Sequence, residues 1–160
     1  INIDEFDLNI TEHIEELEDI DSSVSPLIYA AYFGTNLINA GLKDITRILL
    51  KNKLVDVDLE TENNRQTPLI TACIMGNYEI VRLLLLAKAE VNKPNLLNQI
   101  PLTVILFRLV EEPASFENKK ICFLIADLLI KYGADMNWII DKKNGFSLLH
   151  YFCSLKMKMN

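Results

Sequence analysis

The sequence predicts an all-α solenoid, in which short helix–turn–helix units stack side by side. Three observations predict this fold. Half of the 160 residues are hydrophobic and the mean hydropathy is +0.16, so apolar surface for a core is ample. Residues 67–92 contain start and stop signals for two short helices. The position that opens this stretch recurs along the chain, at Pro26, Pro68, Pro101 and Leu148.

Residues 67–92 contain identifiable signals for the start and the end of their helices. Thr67 offers a side-chain oxygen where a helix begins, and Pro68 takes the first helical position, where its missing N–H costs nothing. Gly76 ends this helix because glycine tolerates the left-handed conformation of a helix C-terminus. A second helix opens at Glu79 and carries more apolar residues than one face can hold, which indicates packing on two sides: Ile80, Val81, Leu83, Leu84 and Leu85.

This stretch, TPLITACIMGNYEIVRLLLLAKAEVN, resembles an ankyrin repeat. The family pattern runs T-P-L-H-x-A-A, then Gly, an outer helix ending in L-L-L, and G-A-D-V-N, with a period of about 33 residues. The departures are mild: Ile70 for His, Cys73 for the second Ala, Lys88 for Gly and Glu90 for Asp. The resemblance implies an ankyrin-repeat solenoid of helix–turn–helix repeats with protruding turn or β-hairpin loops.

The intervals between the four opening positions are 42, 33 and 47 residues, and only the middle one equals the family period. We expect the extra residues of two repeats to be insertions between inner and outer helix. In the first repeat they are residues 35–41, followed by an outer helix over 43–51 with Ile45, Ile48, Leu49 and Leu50 inward. In the third, an inner helix over 102–111 ends before Pro113. A surface loop over 111–120 follows, and the outer helix resumes near Lys120.

The ankyrin-repeat domain is predicted over residues 22–160, with three full repeats and a truncated fourth. Residues 1–21 hold nine of the 22 acidic residues and no Lys or Arg. This acidic N-terminal segment is either an amphipathic helix, with Phe6, Ile10, Ile14 and Leu17 on one face, or the tail of a preceding repeat that ends at residues 7–9. Because Ile1 is not Met, we expect a piece of a longer chain, and we expect the chain or a partner to continue past Asn160.

Nothing in the sequence constitutes an active site, a metal centre or a cofactor site. His150 occupies the His position of the repeat motif, where the family uses it to hold the turn. Cys73, Cys122 and Cys153 fall on apolar helix faces, which indicates packed thiols in a reduced intracellular protein, cytoplasmic or nuclear. The sequence contains no basic stripe for nucleic acid and no membrane-spanning run. We therefore expect that this protein is not an enzyme and that it binds no cofactor and no small-molecule substrate.

The resemblance implies which residues bind a partner. In this family the exposed positions of the concave face are the two residues before the end of each inner helix, together with the turn residues before the next repeat. The helix positions are Tyr32, Phe33, Ile74, Met75, Phe107, Arg108, Ser154 and Leu155. The turn positions are Asn63, Asn64, Gln66, Leu96, Leu97, Gln99, Lys143, Asn144 and Phe146.

Six of the eight helix positions are apolar or aromatic, which is unusual for solvent-facing residues and typical of interface cores. We expect a groove in which Phe33, Met75, Phe107 and Arg108 lie side by side, with Arg108 meeting a carboxylate of the ligand. The function predicted is a protein–protein interaction module that binds another protein or peptide segment, or flanking domains of the same chain. Two alternatives stay open: a fixed structural scaffold element in a large assembly, and a regulatory domain attached to an enzyme.

Overall fold

The fold is a row of three helix pairs. The computed structural model describes residues 25–33, 40–111, 116–141, 143–148 and 150, and the interpretations of residues 1–21 and 151–160 lie outside that range. The pairs are α1 (Pro26–Phe33) with α2 (Ala40–Lys51), α3 (Pro68–Met75) with α4 (Tyr78–Leu86), and α5 (Pro101–Glu111) with α6 (Phe116–Lys131). A two-stranded antiparallel hairpin follows, formed by β1 (Ile139–Asp141) and β2 (Phe146–Ser147).

The helices stack in two layers. Each inner helix (α1, α3, α5) packs on the next inner helix, and each outer helix (α2, α4, α6) packs on the next outer helix. The predicted all-α solenoid is therefore confirmed. The core is a continuous apolar layer between the helices, and Leu69, Ile80, Val81, Leu84 and Ile105 in it are fully or almost fully buried.

Side-chain oxygens cap three of the helices at their N-termini. Thr67 Oγ1 accepts a hydrogen bond from the Ile70 amide at 3.2 Å, as predicted. Ser25 Oγ accepts from the Ile28 amide at 3.2 Å, and Asn77 Oδ1 accepts from the Ile80 amide at 3.3 Å. Each cap satisfies an amide that has no partner within its helix.

Three helices end in the same motif, with one residue in the left-handed conformation: Gly76 (φ 70°), Lys88 (φ 67°) and Gly133 (φ 89°). After α4, the Lys88 amide donates to the Leu85 carbonyl and the Ala89 amide donates to the Leu84 carbonyl, both at 3.0 Å. This is the Schellman pattern, which satisfies the last carbonyls of a helix. The predicted helix stop at Gly76 is confirmed, and Lys88 performs the same task without being glycine.

The outer helix of the first repeat differs from its prediction in two ways. It begins at residue 40, three residues earlier than expected, and Ile48 is 60 % exposed although it was predicted to face inward. Successive residues of a helix point about 100° apart, so one buried stripe cannot include both Ile45 and Ile48 together with Leu49 and Leu50. Thr46 is fully buried in that stripe instead.

The outer helix of the third repeat begins at Phe116, so the prediction of a loop up to Lys120 was wrong for residues 116–120. Lys119 and Lys120 in this stretch are good helix formers on an exposed helix face. Polarity alone does not distinguish such a face from a loop. Residues 112–115 lie outside the described part.

Hydrogen bonds between the tails of successive repeats hold the stack on its turn side. The Asp58 carboxylate accepts from the Glu90 amide at 2.9 and 3.1 Å, and Lys93 Nζ donates to the Asp58 carbonyl at 2.9 Å. One repeat later, the Asn92 side chain donates to the Gly133 carbonyl at 3.0 Å and accepts from the Asp135 amide at 2.8 Å. We call these two sets of bonds the rungs.

Candidate functional site

The turns between repeats protrude from the helices and share one backbone design. We call them the turn tips: residues 63–66, residues 95–99 and the hairpin β1–β2. Each contains a residue in the left-handed conformation at an equivalent position, namely Arg65, Asn98 and Gly145. The predicted turn residues therefore occupy equivalent places in successive repeats.

The turn tips are hydrogen-bonded to one another in a row. The Leu96 amide donates to the Asn64 carbonyl at 2.9 Å, which joins the first turn tip to the second. Asn98 Nδ2 donates to the Ile139 carbonyl at 2.8 Å, and Trp138 Nε1 donates to the Asn98 carbonyl at 2.9 Å, which joins the second to the hairpin. The side chains that the tips carry are thus presented on a connected backbone.

Apolar side chains on this row face solvent. Leu96 is 63 % exposed, Leu97 74 % and Phe146 49 %. Ile139, on the hairpin, is exposed as well, although sequence reasoning did not select it. No alternation of apolar and polar residues marks this short strand, because Ile139 and Ile140 are consecutive. The polar members of the row are Asn63 and Asn64, both exposed, and Gln66, half-buried.

The predicted positions on the inner helices are more enclosed than those on the turn tips. Tyr32 and Ile74 are exposed, whereas Phe33, Met75 and Phe107 are half-buried. The Phe33 ring packs on two neighbours, with centroids 4.7 Å from Tyr29 and 4.8 Å from Tyr32. The inner helices therefore contribute parts of aromatic and thioether side chains. Ser154 and Leu155 lie outside the described residues.

Arg108 is engaged with the preceding repeat. Its guanidinium donates a hydrogen bond to the Ile74 carbonyl, at the end of α3. A Cβ placed on Gly76 would lie 3.3 Å from Cζ of Arg108, so the guanidinium covers this glycine closely. A cation at a helix C-terminus is stabilised by the helix dipole. Sequence reasoning assigned Arg108 to a ligand carboxylate and missed this contact between α5 and α3.

Charge at the first turn tip is arranged in pairs. Arg65 Nε donates to Glu60 Oε1 at 2.8 Å, and Lys93 Nζ lies 3.5 Å from Glu60 Oε2. The hydrogen bond from Arg65 is the main cause that holds the pKa of Glu60 below its usual value. Glu60 is therefore ionised at neutral pH and its charge is balanced by two cations.

The cysteine and histidine side chains lie in surroundings that are typical of a structural role. Cys73 and Cys122 are buried, and burial raises the pKa of the Cys73 thiol, which disfavours the reactive thiolate. His150 Nδ1 lies 2.8 Å from Ser147 Oγ, at the turn that the motif predicts it to hold. Across the described ranges, no group of three His, Cys, Asp or Glu side chains could hold a metal ion. None of the helices described is long and apolar enough to cross a membrane.

The helix pairs stack, the turn tips are hydrogen-bonded to one another, and three helices end in the same motif. These features define a helical-repeat solenoid. The chain belongs to the ankyrin-repeat family: the family model for ankyrin repeats (3 copies) matches residues 5–95. Ankyrin repeats generally mediate protein–protein interaction, and the family is typically non-catalytic. A search of the curated proteins found no match to this sequence.

Among solved structures, the chain is similar to one in the complex of a predatory endopeptidase from Bdellovibrio bacteriovorus with an immunity protein. The TM-score is 0.55 and the sequence identity is 25 %. The similarity covers 79 % of this chain and 55 % of that one, so this chain spans about half the length of its neighbour.

Proposed function

We propose that this chain is a protein interaction module without catalysis, which binds a partner protein or peptide on its concave face. The observation that carries the proposal is the row of exposed apolar side chains on the turn tips, Leu96, Leu97 and Phe146. Exposed apolar side chains in one connected surface favour an interaction site, because a soluble monomer normally buries or scatters them.

The hydrogen bonds between the turn tips support binding in a second way. Association loses free energy when loops and side chains must be ordered at the interface. Here the backbone of each tip is already fixed to its neighbour, through Leu96 to Asn64 and through Trp138 to Asn98. A partner that contacts the row therefore meets a pre-organised surface, and more of the energy of apolar contact remains for affinity.

The surface favours a partner with apolar anchors and with groups that can pair with amides. Leu96 and Leu97 supply the apolar contacts, and the side chains of Asn63 and Asn64 supply donors and acceptors beside them. Tyr32, Ile74 and parts of Phe33, Met75 and Phe107 extend this surface along the inner helices. The similar solved structure belongs to a complex of two proteins, which is consistent with a protein partner.

A fixed scaffold element is the second candidate, and the unequal helix lengths of the repeats favour it. Helix α6 has 16 residues and α4 has 9, so the third repeat carries surface that the second lacks. The two functions differ in whether the bound partner exchanges with free partner. A recognition module binds and releases a separate partner, whereas a scaffold element is buried against one neighbour permanently.

The proposal can be tested by site-specific photocrosslinking in the cells that make the protein. A photoreactive phenylalanine analogue replaces Leu97 in one protein and Leu54 in a control. Leu54 is 92 % exposed but lies after α2, away from the turn tips. We expect a discrete protein adduct from position 97 and none from position 54. Equal adducts from both positions, or none from position 97, would contradict binding at the turn tips.

The partner identified in this way permits a quantitative check. Leu97→Ser should weaken binding by about 2 kcal/mol if Leu97 is an interface hot spot, which is roughly a 30-fold loss of affinity. Leu54→Ser should leave affinity unchanged. Both variants should melt within a few degrees of the wild type, because neither side chain is in the core. A non-covalent complex that never exchanges with free partner would favour the scaffold function.

A further inference from the structure

The third repeat is longer than the second, and the extra length lies on one side. Helices α4 and α6 end at equivalent points, two residues before the left-handed Lys88 and Gly133. Because α6 has 16 residues and α4 has 9, α6 starts seven residues earlier, about 10 Å at 1.5 Å per residue. Helices α3 and α5 both start at a proline, and α5 continues three residues further, with 11 residues against 8. The third repeat therefore projects past the second on the side opposite the turn tips.

The first repeat is also longer than the second. Helix α2 has 12 residues against the 9 of α4, and Lys43 near its start pairs with Glu79 at the start of α4, with Nζ and Oε2 3.0 Å apart. The second repeat is thus the shortest of the three. A concavity of about 330 Å³ lies at its end, against the projecting third repeat. We call it the notch. Its floor is residues 75–79 and its wall on the third repeat is Arg108, Asn118, Ile121 and Cys122.

The groups around the notch favour a ligand that accepts hydrogen bonds and carries negative charge. Among the described residues that line the notch, Glu79 is the one carboxylate, and two cations face it, Lys43 at 3.0 Å and Arg82 at 3.2 Å. The guanidinium of Arg108 adds a further positive charge on the wall. The floor is also the N-terminus of α4, which carries a partial positive charge.

An unsatisfied donor on the floor points to the same kind of ligand. Asn77 is 7 % exposed, and its Oδ1 caps the Ile80 amide. Its Nδ2 is buried and has no hydrogen-bond partner among the residues that the structure describes. A buried amide donor without an acceptor is costly, so such groups are normally satisfied by protein, water or a ligand. An oxygen acceptor in the notch would satisfy it.

We propose that the notch receives a loop or helix end of a partner protein that presents an Asp or Glu carboxylate. Helices in contact lie 8–10 Å apart, so the part of α6 that projects past α4 forms a wall beside a space about one helix wide. The charge of the notch selects the carboxylate, and the unsatisfied Asn77 amide provides a donor for it. The inference shares with the proposed function the protein nature of the partner and the side chain of Met75, but it uses no residue of the turn tips.

The test is selection of peptides from a phage-displayed random library against the full chain, followed by affinity measurement with synthetic peptides. We expect one class of binders with Asp or Glu at a fixed place. Replacing that residue by Asn or Gln in the peptide should lower affinity at least tenfold. Asn118→Trp, which fills the notch, should cause a similar loss. Lys120→Trp is the matched control, because Lys120 is exposed two residues further along α6 and does not line the notch.

Two further variants make the result unambiguous. Asn118→Glu nearly preserves side-chain volume and places a like charge at the wall, so it should abolish binding of the acidic peptides even where tryptophan lowers stability; Lys120→Glu is its control. Leu97→Asp should leave the acidic peptides unaffected. Peptides that lose affinity with Leu97→Asp and keep it with Asn118→Trp bind the turn tips, which would support the proposed function and overturn the notch. Recovery of no acidic binders would also overturn it.

Discussion

Replacing Lys88 by glycine should stabilise this protein, although it removes a side chain. Lys88 ends α4 with φ 67°, in the left-handed region where a residue with a Cβ is strained by about 1–2 kcal/mol. Glycine removes that strain, but it increases the entropy of the unfolded chain, which costs about 0.5–1 kcal/mol. The net gain is therefore about 0.5–1 kcal/mol. For a chain of this size that raises Tm by about 1–4 °C.

Gly133 provides the matched reverse substitution, because it ends α6 in the same hydrogen-bonded motif. Its φ of 89° lies beyond the usual left-handed range, so Gly133→Lys should lower stability by about 1 kcal/mol or more. A Cβ at Gly133 would meet nothing within 4 Å, so the loss would report backbone strain and not a collision. Lys88→Ala keeps the strain and removes the exposed side chain, and it should stay within about 0.5 kcal/mol of the wild type.

The assay is urea unfolding followed by circular dichroism, with the free energy of unfolding extrapolated to water for all four proteins. The m-value should be unchanged, because the amount of surface exposed on unfolding is the same. The reasoning would be refuted if Lys88→Gly lowered the free energy of unfolding, or if Lys88→Gly and Gly133→Lys changed it in the same direction.

Three further predictions use the same measurement. Leu84→Ala should cost about 2–5 kcal/mol because Leu84 is fully buried between the repeats, whereas Leu86→Ala, at an exposed position of the same helix, should cost far less; a neutral Leu84→Ala would contradict the core assignment. Thr67→Ala should cost about 1 kcal/mol through loss of the cap on the Ile70 amide, and Thr67→Ser should recover most of it. The hydrogen bond from Lys43 is the main cause that holds the pKa of Glu79 below its usual value. Since the folded-state pKa is the lower one, this stabilisation is present above the unfolded pKa of about 4.3 and is lost as pH falls through the folded value. Lys43→Met should weaken that acid dependence, and an unchanged pH profile would count against the pair.

Local signals determined how much of the fold could be predicted. Thr67, Pro68 and Gly76 act on neighbours within four residues, so their effects can be read from the sequence directly. The start of α6 could not, because Lys119 and Lys120 are as typical of an exposed helix face as of a loop. The conformation of Lys88 was not predicted either: its position in the motif belongs to Gly, which tolerates the left-handed conformation, but lysine itself does not indicate it.

The candidate site was likewise predictable where it depends on local sequence and not where it depends on distant contacts. Leu96 and Leu97 follow from their place before a repeat, and both are exposed. The contact of Arg108 with Ile74 joins residues 34 apart in sequence, and no local pattern announces it. The notch depends on a comparison of helix lengths across three repeats, and it could be recognised only after the true start of α6 was known.

The rungs have a consequence for how a repeat of this chain is defined. The bond from Asp58 to Glu90 spans 32 residues, whereas those from Asn92 to Gly133 and Asp135 span 41 and 43. In the bonds from the Glu90 amide to Asp58 and from the Asp135 amide to Asn92, a backbone amide donates to a side-chain oxygen, although the chain between the partners differs by about a third in length. The constant of this solenoid is therefore a hydrogen-bonding geometry and not a number of residues. The family match over residues 5–95 includes the 42-residue interval between Pro26 and Pro68, so it too extends across an interval longer than the period.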